Sequence, residues 1–566
     1  MKFSKNSSLY LSAVIITVAI LFAYSPVFKA NFVNFDDNAY VVKNDSIKNL
    51  SWQTTAKFFY APTHEIDIYI PLVFLSYSIE YYFSQLDPHR YHTDNVLLHI
   101  LNSLLVLWLV WLLTKNILAS VSIAGLFALH PLHVESVAWI AERKDVLYAA
   151  FYLGALISYH YYSHTKQQKY YIFCLLLFVL SCFSKAMAIT LPAVLLLYDY
   201  YYSKQRSWKM VLKKIPFFIV SVLFVGVTLL LMDVSKKQVY TNGFNQFDDL
   251  VMVLHNIFFY IQKLALPIQL SAIYFYPVKS GAVLPVYYLG CAVLALIAIW
   301  FIGFSQYSTT LVKACFLFFM VTILPVLQFF HNTYTPTADR YSYLPALGLF
   351  GILAYWLNKE VAGGTLNKNS AWVGAMAVLL LLSVATRDRC SVWANSIAFY
   401  SDITAKGQNK DFVMGNLADA YIDNGEYKKA EEVLVQANAL YPNEMVLLNR
   451  YAWLMAADKR YDIAIEKYKY CLLLDSTLDG TYINLGEVYL KTGQPDSALK
   501  IYERAIRLFP HNLVLIYNTG YTYFTLNKKE EASRYMRFAA KNNFEPAVNF
   551  LKQLPVTQDS LPVNRR

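Results

Sequence analysis

About eleven runs of mainly apolar residues lie before residue 387, and they constrain the fold of this chain more than any other feature. A helix needs about 20 such residues to cross the hydrocarbon core of a bilayer. We therefore predict an all-α protein that begins with a polytopic helical membrane domain over residues 1–386. The predicted spans are residues 8–28, 93–113, 118–138, 145–162, 170–184, 187–202, 215–232, 283–304, 311–329, 341–357 and 371–386. Residues 68–83 are apolar but short and carry Glu80, so we interpret them as interfacial or re-entrant.

The net charge of +11 is spread between the apolar runs and does not gather in one patch. Residues 204–214 form the richest basic group, which the positive-inside rule assigns to the cytoplasm. This distribution of charge predicts that the chain is embedded in a lipid bilayer and does not bind nucleic acid. It places the N-terminus in the cytoplasm, as an uncleaved first span. An odd number of spans then puts residues 30–92, the first outer loop, on the same outer side as the C-terminal third.

The C-terminal third repeats with a period of 34 residues, which is typical of tetratricopeptide repeats (TPRs). Four small residues occupy equivalent positions, namely Ala430, Ala464, Ala498 and Ala532. Gly425 and Gly493 mark turns between paired helices. The spacing predicts four repeats over residues 411–546, stacked as an α-solenoid, after a linking helix at 387–410. Residues 547–566 are predicted to be a C-terminal tail.

One position in the first helix of each repeat carries a polar residue: Asn416, Arg450, Asn484 and Asn518. A ladder of this kind can hydrogen-bond the backbone of an extended peptide, and it predicts a groove for an acceptor protein. The alternative is that asparagine recurs there only because a repeat architecture multiplies any residue.

Asp36 and Asp37 are adjacent carboxylates a few residues beyond the first span. One of them can take a proton from an acceptor hydroxyl, and the other can orient that hydroxyl or hold a hydrated metal ion. The two residues are therefore the predicted catalytic pair, and Asp37 is a possible metal ligand for Mg or Mn. The alternative is a structural role, because aspartate also favours turns and helix caps.

Further polar residues lie at the ends of apolar runs, on the same predicted side as Asp36. Arg143, Lys144 and Arg340 are candidates for binding a phosphate, and ordinary flanking charge or a loop-ordering ion pair is the alternative. Asp339 is placed to pair with Arg340. The remaining candidates are His130, His133, Glu135, Glu142, Lys185 and His331. The two histidines form either a metal or phosphate site or a pair that anchors the loop, and their spacing is not a standard zinc signature.

Five segments in this order resemble the transmembrane and TPR-containing protein O-mannosyltransferases, in a bacterial-type version. They are FDDNAY at 35–40, HTDNVLLHILN at 92–102, HPLHVESVAWIAERKDVL at 130–147, ADRYSYLPALG at 338–348, and the repeats. The block at 130–147 is the most specific of these segments. A proline–leucine pair at 71–72 also fits, but Ile70 stands where the family usually has arginine, which puts a donor contact at that position in doubt.

The resemblance implies a GT-C glycosyltransferase with a catalytic acid in the first outer loop, which maps to Asp36. It implies a polyprenyl-phosphate sugar as the donor, often mannose, with its phosphate near Arg143, Lys144 and Arg340. It also implies that the repeats present an acceptor protein, and that the protein resides in a bacterial inner membrane.

From these observations we predict an inverting transferase that moves a sugar to a Ser or Thr hydroxyl on the outer face. Two alternatives stay open. The acceptor is a lipid or glycan instead of a protein, or the chain is a membrane-anchored scaffold without catalysis. No cofactor beyond a possible divalent metal is indicated.

Overall fold

The computed structural model describes residues 5–60, 68–203, 207–231, 243–279, 283–306, 308–327, 329 and 335–553. Its regular structure in these ranges is helical throughout, which confirms the all-α class. The chain divides into two compact units, Met1–Lys406 and Gly407–Arg566.

The first unit contains seventeen α-helices in its described part. They are α1 Lys5–Ala23, α2 Trp52–Tyr60, α3 Pro71–Ser84, α4 Pro88–Thr114, α5 Ile117–Leu129, α6 Val134–Ala138, α7 Arg143–Thr165, α8 Gln168–Ser184, α9 Leu191–Leu197, α10 Trp208–Leu212, α11 Ile215–Leu231, α12 Gln246–Ala265, α13 Val286–Phe304, α14 Thr310–Ile323, α15 Ala346–Ala362, α16 Lys368–Cys390 and α17 Ser396–Ala405. Short 3₁₀ turns join several of them, and three of these turns carry candidate residues: Pro131–His133, Ile140–Glu142 and Asp339–Ser342.

Among the described residues, every predicted span coincides with a helix or a broken helix, but the count of about eleven spans is not confirmed. Three helices in the described ranges are long and apolar enough to cross a membrane: α4, α13 and Lys368–Trp393. The pair Ile117–Leu129 and Pro131–Ala138, bent by 49° at its break, is long and apolar enough only when its two pieces are taken together as one span. Shorter apolar helices cover several other runs in the described ranges, among them Gln168–Ser184 and Thr310–Val326. The run 187–202 is divided among a 3₁₀ turn, α9 and a π-helix.

Local sequence fixes where the longest helix begins and ends. The Asp87 carboxylate accepts a hydrogen bond from the backbone N–H of His89 at 3.1 Å, and Pro88 occupies the first position of α4. Lys115, with a φ of 53°, ends the helix in a left-handed conformation. The Asn116 side chain then caps α5 by accepting from the backbone N–H of Ala119 at 3.2 Å. These local caps mark both ends of α4 and the start of α5.

Helix α12 was not predicted, because its apolar residues are periodic and do not form a continuous run. Asn245 and Asp248 form a capping box at its start. One face, with Val251 and Ile257, is buried, whereas Phe247 is largely exposed. Buried and exposed positions recur with helical periodicity along α12, as in an amphipathic helix.

The second unit consists of helix–turn–helix pairs. The helices are α18 Asp411–Asp423, α19 Tyr427–Leu440, α20 Met445–Ala457, α21 Tyr461–Leu474, α22 Asp479–Lys491, α23 Pro495–Leu508, α24 Leu513–Thr525, α25 Lys529–Lys541 and α26 Glu545–Gln553. The four repeat alanines predicted to lie between helices are all buried. Gly425 and Gly493 have φ values of +77° and +71°, which a turn of this hand requires.

The predicted tail at 547–566 is wrong in its first part. Helix α26 covers these residues as far as Gln553, because Ala547 and Phe550 pack into an apolar cluster with Met536. Residues 554–566 lie outside the described residues.

Candidate active site

The two adjacent aspartates that follow α1 have different environments. Asp37 is fully buried, and each of its carboxylate oxygens accepts a backbone N–H: Oδ2 from Val33 and Oδ1 from Ala141, both at 2.9 Å. Burial raises the pKa of Asp37 to about 7, although the two backbone donors oppose the shift. Because each of its oxygens accepts a backbone N–H, Asp37 holds the loop together.

Asp36 is partly exposed, and within the described residues its carboxylate accepts no hydrogen bond. Burial raises its pKa from the ordinary value, Lys144 and Arg340 lower it, and Glu142 raises it further. Lys144, Glu142 and Arg340 therefore act on the Asp36 carboxylate through their charges. Of the predicted catalytic pair, Asp36 is therefore the one with an available carboxylate.

Glu142 lies at the centre of the charges around Asp36. Its Oε1 atom is 2.9 Å from Lys144 Nζ and 3.1 Å from Arg340 Nε, and its Oε2 atom is 3.7 Å from Lys185 Nζ. Burial alone would raise the pKa of Glu142, but the three cations outweigh it and lower the pKa to about 2. Glu142 therefore stays ionised and holds three cations from three different parts of the chain together.

Arg340 and Lys185 complete this group. Arg340 contacts Glu135 and lies over the ring of Trp139, with its guanidinium carbon 5.4 Å from the ring centre. Lys185 Nζ is 2.5 Å from Asp145 Oδ1. We call the following residues the charged cluster: Asp36, Glu135, Glu142, Lys144, Asp145, Lys185 and Arg340.

Arg143 does not join the charged cluster, although it is adjacent to Lys144. Its guanidinium forms a buried ion pair with Glu80, and it also donates to Asn95 Oδ1 and to the backbone oxygen of Tyr91, both at 2.8 Å. These partners occupy all three guanidinium nitrogens. Arg143 therefore serves to join three segments of the chain, and its guanidinium is not directed at the charged cluster. Glu80, the single charge in the apolar run 68–83, was the signal in the sequence for this pair.

His130 and His133 act as buried anchors for the segment that carries Glu135. His130 Nδ1 accepts from the backbone N–H of Leu132 at 3.3 Å, and its Nε2 lies 3.2 Å from Leu264 O. His133 Nδ1 lies 2.7 Å from Phe127 O. Across the described ranges, no group of three or more His, Cys, Asp or Glu side chains is arranged to hold a metal ion. The candidate His331 lies outside the described residues.

Asp339 turns away from its neighbour Arg340, so the expected ion pair between them does not form. Asp339 Oδ1 accepts from the Tyr274 hydroxyl at 2.8 Å, and its Oδ2 lies 3.9 Å from Arg389 Nη2. Burial raises the pKa of Asp339 to about 7. Tyr274 and Arg389 were missed in the sequence because neither belongs to a motif.

In the repeat unit, the structure brings part of the predicted ladder together. Arg450 Nη2 donates to Asn416 Oδ1 at 3.1 Å and lies 2.9 Å from Asp419 Oδ2, which links neighbouring repeats. A cavity of about 390 Å³ is lined by Asp419, Ile422, Asp423, Asn449, Arg450, Trp453 and Asn484. Asn518 is not among the residues that line it.

Comparison with known proteins supports both units. The tetratricopeptide repeat family model matches residues 413–444 and 481–512, which confirms the repeats. Protein O-mannosyl-transferase TMTC3 of Homo sapiens is 21% identical over 85% of this chain and 61% of its own length. The Mus musculus TMTC3 is 21% identical over 81% and 59%, and Protein O-mannosyl-transferase F38B6.6 of Caenorhabditis elegans is 24% identical over 66% and 54%.

These relatives confirm the resemblance stated from the motifs, over most of the chain. The chain spans about three-fifths of the length of the two TMTC3 relatives. Among solved structures, MamA is similar to 27% of this chain and 90% of its own, with 22% identity and a TM-score of 0.25.

Proposed function

We propose that this protein is a membrane glycosyltransferase that transfers a hexose, mannose by analogy with the names of its relatives, to Ser or Thr hydroxyls of an acceptor protein. The observation that carries the proposal is the contrast between the two aspartates. Asp37 is locked by two backbone N–H groups, whereas Asp36 keeps an available carboxylate beside the cations Lys144 and Arg340. A general base next to a cationic site is what glycosyl transfer from a phosphate donor requires.

The donor in this proposal is a polyprenyl-phosphate sugar. Arg340 and Lys185 are the most exposed cations of the charged cluster, with 19% and 12% of their side chains accessible. They are therefore the groups that bind the donor phosphate. Lys144, which is only 8% exposed, adds positive charge to the same site. Positive charge aimed at the leaving group stabilises the negative charge that develops there in the transition state.

The chemical step is a single displacement. Asp36 takes the proton of the acceptor hydroxyl, the hydroxyl oxygen forms a bond to the anomeric carbon, and the bond from that carbon to the phosphate oxygen breaks. The electron pair of the broken bond leaves with the polyprenyl phosphate. A single displacement inverts the configuration at the anomeric carbon. No step of this reaction requires a metal ion.

The repeats bind the acceptor protein in this proposal. Helical solenoids offer a concave surface for an extended peptide. The cavity around Arg450 offers two carboxylates, two amides and the exposed ring of Trp453. The charge pattern of the loops supports placing Asp36 and the repeats on the outer side of a bacterial inner membrane.

The test compares Asp36→Asn with Asp45→Asn in membranes supplied with a lipid-linked sugar and a protein acceptor. Asp45 lies in the same loop, has 91% of its side chain exposed and pairs with the nearby Lys48, so it is the matched control. We expect Asp36→Asn to reduce transfer by about 10²-fold or more, the usual contribution of a general base. Asp45→Asn should transfer normally.

Transfer at the wild-type rate by Asp36→Asn would contradict the assigned base. Sugar that appears only on lipid or glycan, with none on protein, would favour the alternative acceptor. Complete absence of transfer by the wild-type protein with every sugar donor supplied would favour the alternative of a membrane-anchored scaffold without catalysis.

A further inference from the structure

Helix α17 holds the backbone of the loop that carries Asp36. Asn34 lies two residues before Asp36, and both of its backbone polar groups bind side chains of α17. Its N–H donates to Ser396 Oγ at 2.8 Å, and its carbonyl oxygen accepts from the Tyr400 hydroxyl at 2.6 Å. Ser396 and Tyr400 are four residues apart, so they lie on one face of the helix. One helical face thus fixes a single residue of the loop from both sides.

Neighbouring contacts extend the attachment along the loop. The backbone N–H of Asn31 donates to Ala394 O at 2.8 Å. The rings of Phe35 and Phe399 lie 5.7 Å apart. In addition, Trp393 stacks on Trp139, with ring centres 5.2 Å apart and an interplanar angle of 22°. The segment just before α17 and the helix itself therefore pack along the same few residues that precede the acidic pair.

Asp36 lies between two fixed points. On one side, α17 holds Asn34. On the other, Asp37 is fixed by Val33 and Ala141. Within the described residues the Asp36 carboxylate has no hydrogen bond of its own, so its position depends on the backbone that carries it. A displacement of about 1 Å at a reacting group can cost about 10²-fold in rate.

We propose that Ser396 and Tyr400 are positioning residues for Asp36. They do not touch the substrate. They set the place of the catalytic carboxylate by holding the backbone of Asn34. This proposal rests on the proposed function, because it needs Asp36 to act as the base.

The kinetic test uses the full-length protein with Ser396→Ala, Tyr400→Phe and the double variant. Each change removes one hydroxyl and leaves the rest of the side chain in place. Tyr171→Phe is the matched control, because the Tyr171 hydroxyl also donates to a backbone carbonyl, Lys213 O, at 2.8 Å, far from Asp36 in sequence. We expect the double variant to lose about 10-fold or more in kcat, with the donor KM within about twofold of wild type.

The melting temperature separates positioning from plain stability. The double variant should melt close to the Tyr171→Phe control, and Ser396→Thr, which keeps a hydroxyl, should restore most of the kcat lost in Ser396→Ala. A kcat within twofold of wild type in the double variant would overturn the positioning role. So would a loss of kcat that follows an equal loss of folded protein.

A second readout needs no activity. Amide hydrogen exchange of the peptide covering residues 31–37 should be faster in Ser396→Ala than in wild type, because the Asn34 N–H loses its acceptor. Unchanged exchange would overturn the attachment itself. If the wild-type protein shows no transfer, the proposed function fails, and the positioning role fails with it. If wild type transfers and the double variant transfers equally well, the positioning role alone fails.

Discussion

Arg340 is bound to Glu135 through both its backbone and its side chain. Its N–H donates to Glu135 Oε2 at 2.9 Å, and its guanidinium donates to the other oxygen of the same carboxylate. Two contacts from one residue to one carboxylate fix the direction of the side chain as well as its position. Glu135 therefore orients the most exposed cation of the charged cluster.

Removal of Glu135 should destabilise the protein and weaken donor binding. Glu135→Ala leaves Arg340 without its main partner in a buried setting, which costs about 3 kcal/mol of unfolding free energy. The donor KM should rise as well. Glu431→Ala is the control, because its pair with Arg460 is partly exposed, and surface pairs contribute about 0–1 kcal/mol. Thermal unfolding in detergent measures the loss of stability in each variant. Equal losses in the two variants would contradict the role of Glu135.

The pH dependence of transfer should reflect Asp36. The base must be ionised, so kcat/KM should rise with pH through the pKa of Asp36, which burial raises above its ordinary value. Lys144 lowers that pKa by its charge. Lys144→Met should therefore move the acid limb of the profile to higher pH. A profile measured over pH 4–8 that does not move, or that moves to lower pH, would be inconsistent with this arrangement.

Arg143 and Arg340 should respond differently to the same change. Lysine cannot reproduce the fork of a guanidinium. Arg143→Lys should reduce the unfolding free energy by about 2–3 kcal/mol, because Glu80 and Asn95 lose donors, and it should leave the donor KM unchanged. Arg340→Lys should instead raise the donor KM by about fivefold or more, since about 1 kcal/mol of binding corresponds to that factor. A larger rise in donor KM for Arg143→Lys than for Arg340→Lys would indicate that Arg143 binds the donor phosphate.

A glycine in the third repeat should resist substitution. A Cβ atom at Gly486 would lie 2.2 Å from Cζ of the fully buried Tyr502 ring, so the ring would have to shift. Gly486→Ala should therefore cost about 1–3 kcal/mol. Gly480 lies in the same helix with nothing within 4 Å of its Cβ position, so Gly480→Ala should be neutral or stabilising by up to about 1 kcal/mol. Urea unfolding followed by far-UV circular dichroism measures both, and a neutral Gly486→Ala would refute the tight packing.

The sequence alone determined the class of structure and predicted the residues of the candidate site. Long apolar runs and a 34-residue period are local patterns, and the helices and repeats they predict are present. Charges at the ends of apolar runs were also visible, because an unpaired charge inside such a run is unfavourable. The acidic pair at 36–37 and the basic residues at 144 and 340 were recognised in this way.

Only the tertiary structure decided which of these residues act together. Asp36 and Asp37 are adjacent, yet the partners that separate their roles come from elsewhere in the chain. Arg143 and Lys144 are adjacent on a helix, where successive side chains point about 100° apart, so one pairs with Glu80 and the other with Glu142. The attachment of Asn34 to Ser396 spans 362 residues. Periodicity can be detected within a short stretch of sequence, whereas contacts between residues so far apart form only when the helices pack.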